Sequence, residues 1–461
     1  MEETLLSLNL TALFIIIGIV IPIYMLMTRN SIFSWFDPLV TYIFFNSIST
    51  GLVIYLYFEE QNIRFFYFAT YMISTISFIA GLALGNYSFK KEKIQKLIKI
   101  NTNAYSYSRY SELMTYYLCV SIFILVFSNI ILFIVKGTIP ILSSNPSEAK
   151  VLLYTGGFGI VRRINFIMTS VVLAIIFIKM FNPVTKPSKR NKRNLIICFF
   201  ITAAIIISGG SKSALLEILT SFFPIYLINL IFSKKQGLSI SSGLSIKNID
   251  VIKKYSKYAI IAGVFYMIIV VKKTVTSDAS DTTESDSILA RFIASGDTFY
   301  FFYVYDIYSS FHESAISYLV HLGNPITSSL RITEYEFPVG AYILNYSVGL
   351  ELSAFGPNAQ HAIEGLIYFG KYLFFLFSIS IGYIISWSRT SLLVRMLSNP
   401  SQLNLFIYCV VASKVVVIAT ESGLFFLQLV DFMLFGIPVF ILSLVLKQVI
   451  GKKARIITDL N

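Results

Sequence analysis

Long apolar segments separated by short polar connections dominate the hydrophobicity pattern of this chain. A helix needs about twenty apolar residues to cross a bilayer, whose hydrocarbon core tolerates no unpaired backbone groups. By this rule the sequence predicts an all-α polytopic membrane protein with about eleven spanning helices. The predicted helices are Leu8–Met27, Pro38–Tyr57, Ile63–Leu84, Leu113–Val135, Ile160–Met180, Leu195–Ser208, Ala214–Phe232, Tyr258–Val271, Gly365–Trp387, Leu403–Ala419 and Leu424–Leu446.

One long polar interruption, residues 272–361, breaks this pattern. It separates an N-terminal bundle of about eight helices (1–271) from a C-terminal segment of about three (362–461). Two apolar stretches inside it, Phe299–Val304 and Val339–Leu352, are too short or too interrupted to span a membrane. We expect them to form interfacial or re-entrant helices.

The charge distribution predicts the orientation. Only 13% of the 461 residues are charged, and the formal net charge is +13. The basic residues fall in short connections that share one side of the predicted topology, so that side is the cytoplasmic one and nucleic-acid binding is excluded. The N-terminus lacks a basic region before its apolar segment, so we expect this segment to be a retained first helix rather than a cleaved signal. The N-terminus and the 272–361 loop are both expected on the outer side. These basic connections are Lys90–Lys99, Lys186–Arg193, Lys234–Lys257, Arg389–Arg395 and Lys447–Arg455.

Two predicted helix starts on the outer side carry glycines and cations. Arg162 and Arg163 follow Gly156-Gly157-Phe158-Gly159, and Lys212 lies in Ser208-Gly209-Gly210-Ser211-Lys212-Ser213. Free backbone N–H groups and a nearby cation are suited to bind a phosphate or pyrophosphate. The alternative is a tight turn whose basic side chain reaches the lipid headgroups.

Residues 291–297 combine a cation with a carboxylate. The Arg291 guanidinium can bind a phosphate through two hydrogen bonds. Asp297 could orient this cation or accept a proton from a sugar hydroxyl. Alternatively, Asp297 only caps a helix that starts at Thr298. His361 and Glu364, one helical turn apart, are further candidates for proton transfer, although a single histidine at a helix start is more often a satisfied polar group.

Aromatic and buried charged residues complete the candidates. Tyr300 and Tyr303 belong to an aromatic run that suits either sugar stacking or a membrane interface. Lys414 and Asp431 lie inside predicted spans at comparable depth, where an ion pair would offset their cost of burial. The three cysteines fall in separate apolar segments, which predicts neither a disulfide nor a zinc site.

The pattern resembles the Wzy-type polymerases that join oligosaccharide repeat units in bacterial O-antigen and capsule assembly. The resemblance lies in the helix number, the late outer loop, Arg-x-x-x-Ser-Gly-Asp at 291–297, Ser-Gly-Gly-Ser-Lys at 208–212, and Gly-Pro-Asn followed by Glu-Gly-x-x-Tyr-Phe-Gly at 356–370. Many members of that family carry arginine where Lys212 stands. Lysine keeps the charge but lacks the planar fork of the guanidinium.

The resemblance implies a GT-C-like, membrane-embedded glycosyltransferase of the bacterial inner membrane, with a periplasmic N-terminus and a cytoplasmic C-terminus. The resemblance also implies that the reaction uses no metal ion and no other cofactor. The donor is a glycan on undecaprenyl pyrophosphate, and the acceptor is a repeat unit on the same lipid. A flippase and a chain-length regulator are expected partners.

In this interpretation Arg291, Lys212 and Arg162 or Arg163 hold the pyrophosphate, and Asp297, or else His361 or Glu364, is the base. Tyr300, Tyr303 and Asn358 contact sugar. An O-antigen ligase and a flippase or other transporter remain alternatives, and a scaffolding protein is a third class.

Overall fold

The computed structural model describes residues 10–33, 37–58, 62–87, 110–143, 149, 152–153, 158–181, 187–209, 214–233, 297–349, 357–399 and 401–459. All regular structure in these ranges is helical. Nine of the helices in them are long and apolar enough to cross a membrane, so the protein is a polytopic helical membrane protein.

The N-terminal helices are α1 (Leu10–Thr28), α2 (Pro38–Phe58), α3 (Phe65–Tyr87), α4 (Ser111–Lys136), α5 (Gly159–Met180), α6 (Lys189–Ser208) and α7 (Ala214–Ser233). The middle of the chain forms three short helices, α8 (Asp297–Val304), α9 (Ala315–Ser329) and α10 (Val339–Val348). The C-terminal helices are α11 (Gln360–Ser398), α12 (Gln402–Lys414), α13 (Ser422–Asp431) and α14 (Ile437–Asp459). Turns of 3₁₀-helix extend α12 to Ala419, and one π-helical turn joins α13 to α14.

A helix lies at each predicted span that falls within the described ranges. The predicted span Tyr258–Val271 falls outside them. The largest difference is α11, whose 39 residues extend the predicted Gly365–Trp387 at both ends. Helix α11 is not one straight rod, because it consists of two helical parts that meet at a kink. Its helical geometry is interrupted at Gly370, which has a φ of 67°.

Two compact units divide the chain, and each is discontinuous in sequence. Unit 1 comprises residues 1–93, 282–391 and 414–427, and unit 2 comprises residues 94–281, 392–413 and 428–461. These units cut across the three predicted segments, because the 272–361 region does not form a unit of its own.

The core of unit 1 contains both of the short apolar segments predicted to be interfacial or re-entrant. Phe299 and Phe302 of α8 and Ile343 of α10 are completely buried, in one cluster with residues of α2, α3 and α11. Such burial differs from an interfacial position, in which one face of the helix contacts lipid. We call residues 297–348, which contain α8, α9 and α10, the cap.

The end of unit 1 opposite the cap is held by a buried ion pair. Arg389 of α11 donates to Asp37, and both side chains are almost fully buried. Asp37 also accepts the backbone N–H of Leu39 at 3.0 Å, so it caps α2. The Arg389 guanidinium lies 5.1 Å from the ring centre of Phe33, which adds a cation–π contact.

Close backbone contact joins α3 to α11 within unit 1. A Cβ atom at Gly81 would lie 2.1 Å from the carbonyl oxygen of Ile379, and one at Gly382 would lie 2.2 Å from that of Phe78. Gly85, one turn from Gly81, is similarly close to Tyr383. Small residues four apart allow this approach, as in other membrane helix pairs.

Unit 2 is organised around α5, which is buried continuously from Ile167 to Ile178. Helix α4 packs beside it, where Tyr117 donates to the carbonyl oxygen of Gly436 at 3.0 Å. At the end of α5, the Lys179 ammonium donates to the carbonyl oxygen of Ser111 at 2.9 Å. Tyr117 and Lys179 therefore direct their polar atoms toward neighbouring helices.

We expect Gly81→Ala to destabilise the protein by about 1–3 kcal/mol, because the added methyl group forces α3 and α11 apart. Gly18→Ala in α1 is the matched control, since a Cβ there has nothing within 4 Å. Thermal unfolding of both variants in detergent micelles measures the effect. Equal unfolding temperatures for the two variants would contradict the close crossing.

Candidate functional site

The candidate site lies where the cap meets the start of α11, with Asp297 at its centre. Asp297 is the first residue of α8, and its Oδ1 accepts the backbone N–H of Thr298 at 2.7 Å. A helix-capping side chain accepts from an N–H two or three residues further on, whereas this bond is to the next residue and α8 begins at Asp297 itself. The side chain is half-buried, and desolvation raises the pKa of Asp297 to about 6 despite the opposing hydrogen bonds from Thr298.

Two of the residues predicted to bind sugar, Asn358 and Tyr300, lie near Asp297. The Thr298 hydroxyl donates to the carbonyl oxygen of Asn358 at 2.7 Å, which joins the start of α8 to the segment before α11. The side chain of Asn358 is exposed. Tyr300, half-buried, is three residues after Asp297 and so lies on the same face of α8. A carboxylate, an exposed amide side chain and a half-buried tyrosine therefore lie on neighbouring segments of the chain.

A close backbone contact determines the position of Asn358. A Cβ atom at Gly340 of α10 would lie 1.7 Å from the carbonyl oxygen of Pro357, so only glycine permits this packing. The residue next to Asn358 is therefore held directly against α10. The pairing of Gly340 with Pro357 was not part of the sequence-based prediction, because nothing in the local sequence connects residues 17 apart.

A second carboxylate with a raised pKa, Glu421, was missed from the sequence. It lies in the turn before α13, and the backbone N–H of Gln360 donates to the neighbouring Thr420 carbonyl oxygen at 2.8 Å. Burial raises the pKa of Glu421 to about 7. The sequence could have indicated this residue, because Glu421 is a charged residue between two long apolar segments. In the predicted topology it lies on the same side as the 272–361 loop.

His361 and Glu364, the alternative bases, are buried within the helices. The His361 ring stacks on Phe78, with ring centres 4.6 Å apart, and its Nδ1 lies 3.0 Å from the Ser378 hydroxyl. Glu364 accepts the backbone N–H of Ser422 at 3.1 Å, at the N-terminus of α13. Both side chains are almost fully enclosed, which matches the alternative of satisfied polar groups.

Tyr303 is also a core residue. Its ring stacks on Tyr67, with centres 5.0 Å apart, and contacts Phe299. Only 2% of Tyr303 is exposed, which leaves no face for a sugar. Of the two tyrosines assigned to sugar binding, only Tyr300 is therefore positioned for it.

Within unit 2, the two predicted phosphate-binding arginines differ in environment. Arg163 pairs with Asp431, with 2.5 Å between its Nη2 and Oδ1, and only 4% of the Asp431 side chain is exposed. Arg163, rather than the suggested Lys414, is the cation at this carboxylate. Arg162 is exposed at the same helix start, and the Lys136 ammonium lies 5.1 Å from the ring centre of Phe158 nearby.

Arg291 and Lys212 lie outside the described residues, as do the Ser-Gly pair before Asp297 and Gly210. Gly209 ends α6, and its backbone N–H donates to the carbonyl oxygen of Ile205 at 3.3 Å. In the part of the chain that the structure describes, no three His, Cys, Asp or Glu side chains come together in a way that could hold a metal ion.

No family model, no curated protein and no solved structure matches this chain.

We expect Arg163→Gln to destabilise the protein by about 3–5 kcal/mol, because it leaves the Asp431 carboxylate buried without its partner. Arg162→Gln is the matched control, since Arg162 is exposed at the same helix start. Thermal unfolding in micelles measures both, and the double variant Arg163→Gln/Asp431→Asn should recover much of the loss. If both single variants unfold at the same temperature, the ion pair has no structural role.

Proposed function

We propose that this protein is an oligosaccharide repeat-unit polymerase of the bacterial inner membrane. It transfers a growing glycan from undecaprenyl pyrophosphate to a new repeat unit carried on the same lipid. The cap and the site beneath it face the periplasm in this proposal. It is a glycosyltransferase whose donor is already activated by its pyrophosphate, so the reaction needs no nucleotide sugar.

The observation that supports this proposal most directly is the environment of Asp297. A general base is most effective when its pKa lies near the working pH, and a free aspartate is too weak a base for this role. Partial burial raises the pKa of Asp297 to about 6, while part of the residue stays exposed at the surface. The neighbouring Asn358 amide and Tyr300 phenol supply groups that sugars bind by hydrogen bonding and stacking.

The proposed mechanism is a direct displacement. The Asp297 carboxylate accepts the proton of the acceptor hydroxyl as that oxygen forms a bond to the anomeric carbon of the donor. The bond between this carbon and the pyrophosphate oxygen breaks, and undecaprenyl pyrophosphate leaves with the bonding electron pair. Attack from the opposite face inverts the anomeric centre.

The leaving pyrophosphate gains negative charge, which cations stabilise most when they are already in place. The sequence predicts this role for Arg162, Arg291 and Lys212. We leave Arg163 out of this set because its guanidinium binds Asp431, and the ion pair would have to break.

A reconstituted assay separates this proposal from its alternatives. Purified protein in proteoliposomes, given the undecaprenyl-pyrophosphate-linked repeat unit, should form a ladder of longer lipid-linked glycans. An O-antigen ligase would form product only after addition of the lipid A core. A flippase would move the lipid across the bilayer without forming a glycosidic bond. Dependence on a divalent ion or on a nucleotide sugar would contradict the proposal.

We expect Asp297→Asn to lower the polymerisation rate by about 100- to 10,000-fold, the usual contribution of a general base. The fold should persist, because the asparagine Oδ1 can still accept the backbone N–H of Thr298. The initial rate of ladder formation in proteoliposomes measures the effect.

Glu313→Gln is the matched control for that variant, because Glu313 is an exposed carboxylate elsewhere in the cap. It should leave the rate unchanged. If Asp297→Asn is fully active and Glu421→Gln is inactive, the base is Glu421 and the assignment to Asp297 is wrong.

The polymerisation rate should also depend on pH. A base acts in its ionised form, so with a pKa of about 6 for Asp297 the rate at low substrate should rise tenfold per pH unit below pH 6 and level off above pH 7. A pH series on the wild-type protein tests this. A rate that has already levelled off at about pH 5, as expected for a base with the ordinary aspartate pKa of about 4, would rule out a base in this environment.

A further inference from the structure

Helix α9 of the cap is amphipathic, but its exposed face is apolar. A helix on a protein surface in water would expose its polar face instead. The exposed face of α9 consists of Ile316, Leu319, Val320, Ile326 and Leu330. Ile316, Leu319 and Leu330 are 75%, 67% and 65% exposed, so most of their surface contacts no protein. These positions recur at helical spacing and form one continuous apolar stripe.

The polar residues of α9 face the protein instead. Asn324, which is 4% exposed, donates to the carbonyl oxygen of Glu334 at 2.8 Å and accepts the backbone N–H of Glu336 at 3.0 Å. The Thr327 hydroxyl lies 2.7 Å from that of Thr333. His321 lies 3.4 Å from the Glu336 carboxylate. Asn324 and His321 thus face the protein, the Thr327 hydroxyl bonds to Thr333 near the surface, and the apolar stripe faces outward.

The position of α9 in unit 1 indicates what covers this stripe. Tyr318, on the inward face, packs against Phe369 and Phe377 of α11, with ring centres 5.6 and 5.3 Å away. Near these contacts α11 exposes Tyr372 and Leu376 on a helix apolar enough to cross the bilayer. The stripe on α9 therefore lies beside a surface that lipid covers.

We propose that α9 lies in the lipid headgroup and acyl-chain boundary, with Ile316, Leu319 and Val320 inserted into the leaflet on the cap side. An interfacial helix buries its apolar face in lipid and keeps its polar face away from the acyl chains. In α9 the polar face contacts protein rather than water. This assignment does not depend on the reaction that the protein catalyses.

Membrane insertion fixes the height of the cap relative to the bilayer. The cap helix α8 carries Asp297, and α9 is part of the same unit. With α9 held at the boundary, the cap lies against the membrane surface instead of projecting into water. A ligand attached to a membrane lipid would then meet the cap without leaving the bilayer.

Spin labels on the full-length protein in phosphatidylethanolamine and phosphatidylglycerol vesicles test this proposal. Cys119, Cys198 and Cys409 are first replaced by alanine, and Leu319→Cys is labelled with a nitroxide. The relaxation of the label is measured once with oxygen, which concentrates in lipid, and once with a water-soluble nickel chelate. The ratio of the two effects reports whether the label contacts lipid or water. Leu376→Cys in α11 is the lipid reference, and Glu313→Cys, exposed just before α9, is the water reference.

At Leu319→Cys we expect oxygen to relax the label more than the nickel chelate does, with a ratio close to that of Leu376→Cys. A ratio close to that of Glu313→Cys would overturn the proposal, because the stripe would then face water. Low accessibility to both reagents would overturn it as well, since a protein surface would cover the stripe. Val320→Cys, on the same stripe, repeats the measurement if Leu319→Cys fails to fold.

Discussion

Hydrocarbon cannot form hydrogen bonds, and this constraint determines the arrangement of polar groups in both units. In unit 1 the Tyr71 hydroxyl lies 2.8 Å from that of Thr50, and the Arg389 guanidinium binds Asp37 in an almost fully buried pair. In unit 2 the Asp431 carboxylate binds Arg163. Breaking such a pair leaves an uncompensated charge in a medium of low dielectric, so these contacts favour one arrangement of helices.

The same constraint explains why the cap differs from a soluble domain. Helices α8 and α10 each pack an apolar side into the core of unit 1, where Phe299, Phe302 and Ile343 are completely buried. Helix α9 is enclosed on one side only, and that side carries the polar Asn324 and His321 beside Tyr318. A polar face needs partners, and the residues before α10 supply them, whereas an apolar face needs only lipid. The cap is therefore built as part of the membrane protein rather than as a water-soluble insert.

The spans were predictable because length and hydropathy alone determine them, and the helices found within the described ranges follow the predicted segments. The roles of α8 and α10 were not, because an apolar run of ten residues has the same sequence whether it contacts lipid or protein. Helix α9 was not identified, since its alternation of polar and apolar residues carries no sign of which face is covered. The ion pair of Asp431 was assigned to Lys414 by depth alone, but the chain places Arg163 at that carboxylate.

Proximity in space also decided which candidates form the site. Asp297, Tyr300 and Asn358 come together because the Thr298 hydroxyl binds the Asn358 backbone and Gly340 allows Pro357 to approach α10. His361 and Glu364 are also residue types that can accept a proton, but both side chains are almost fully buried among the helices. Asp297 lies between these extremes. Complete burial would keep its carboxyl neutral, and full exposure would leave it a weak base, so partial burial at the edge of the cap is the environment in which an aspartate can accept a proton near neutral pH.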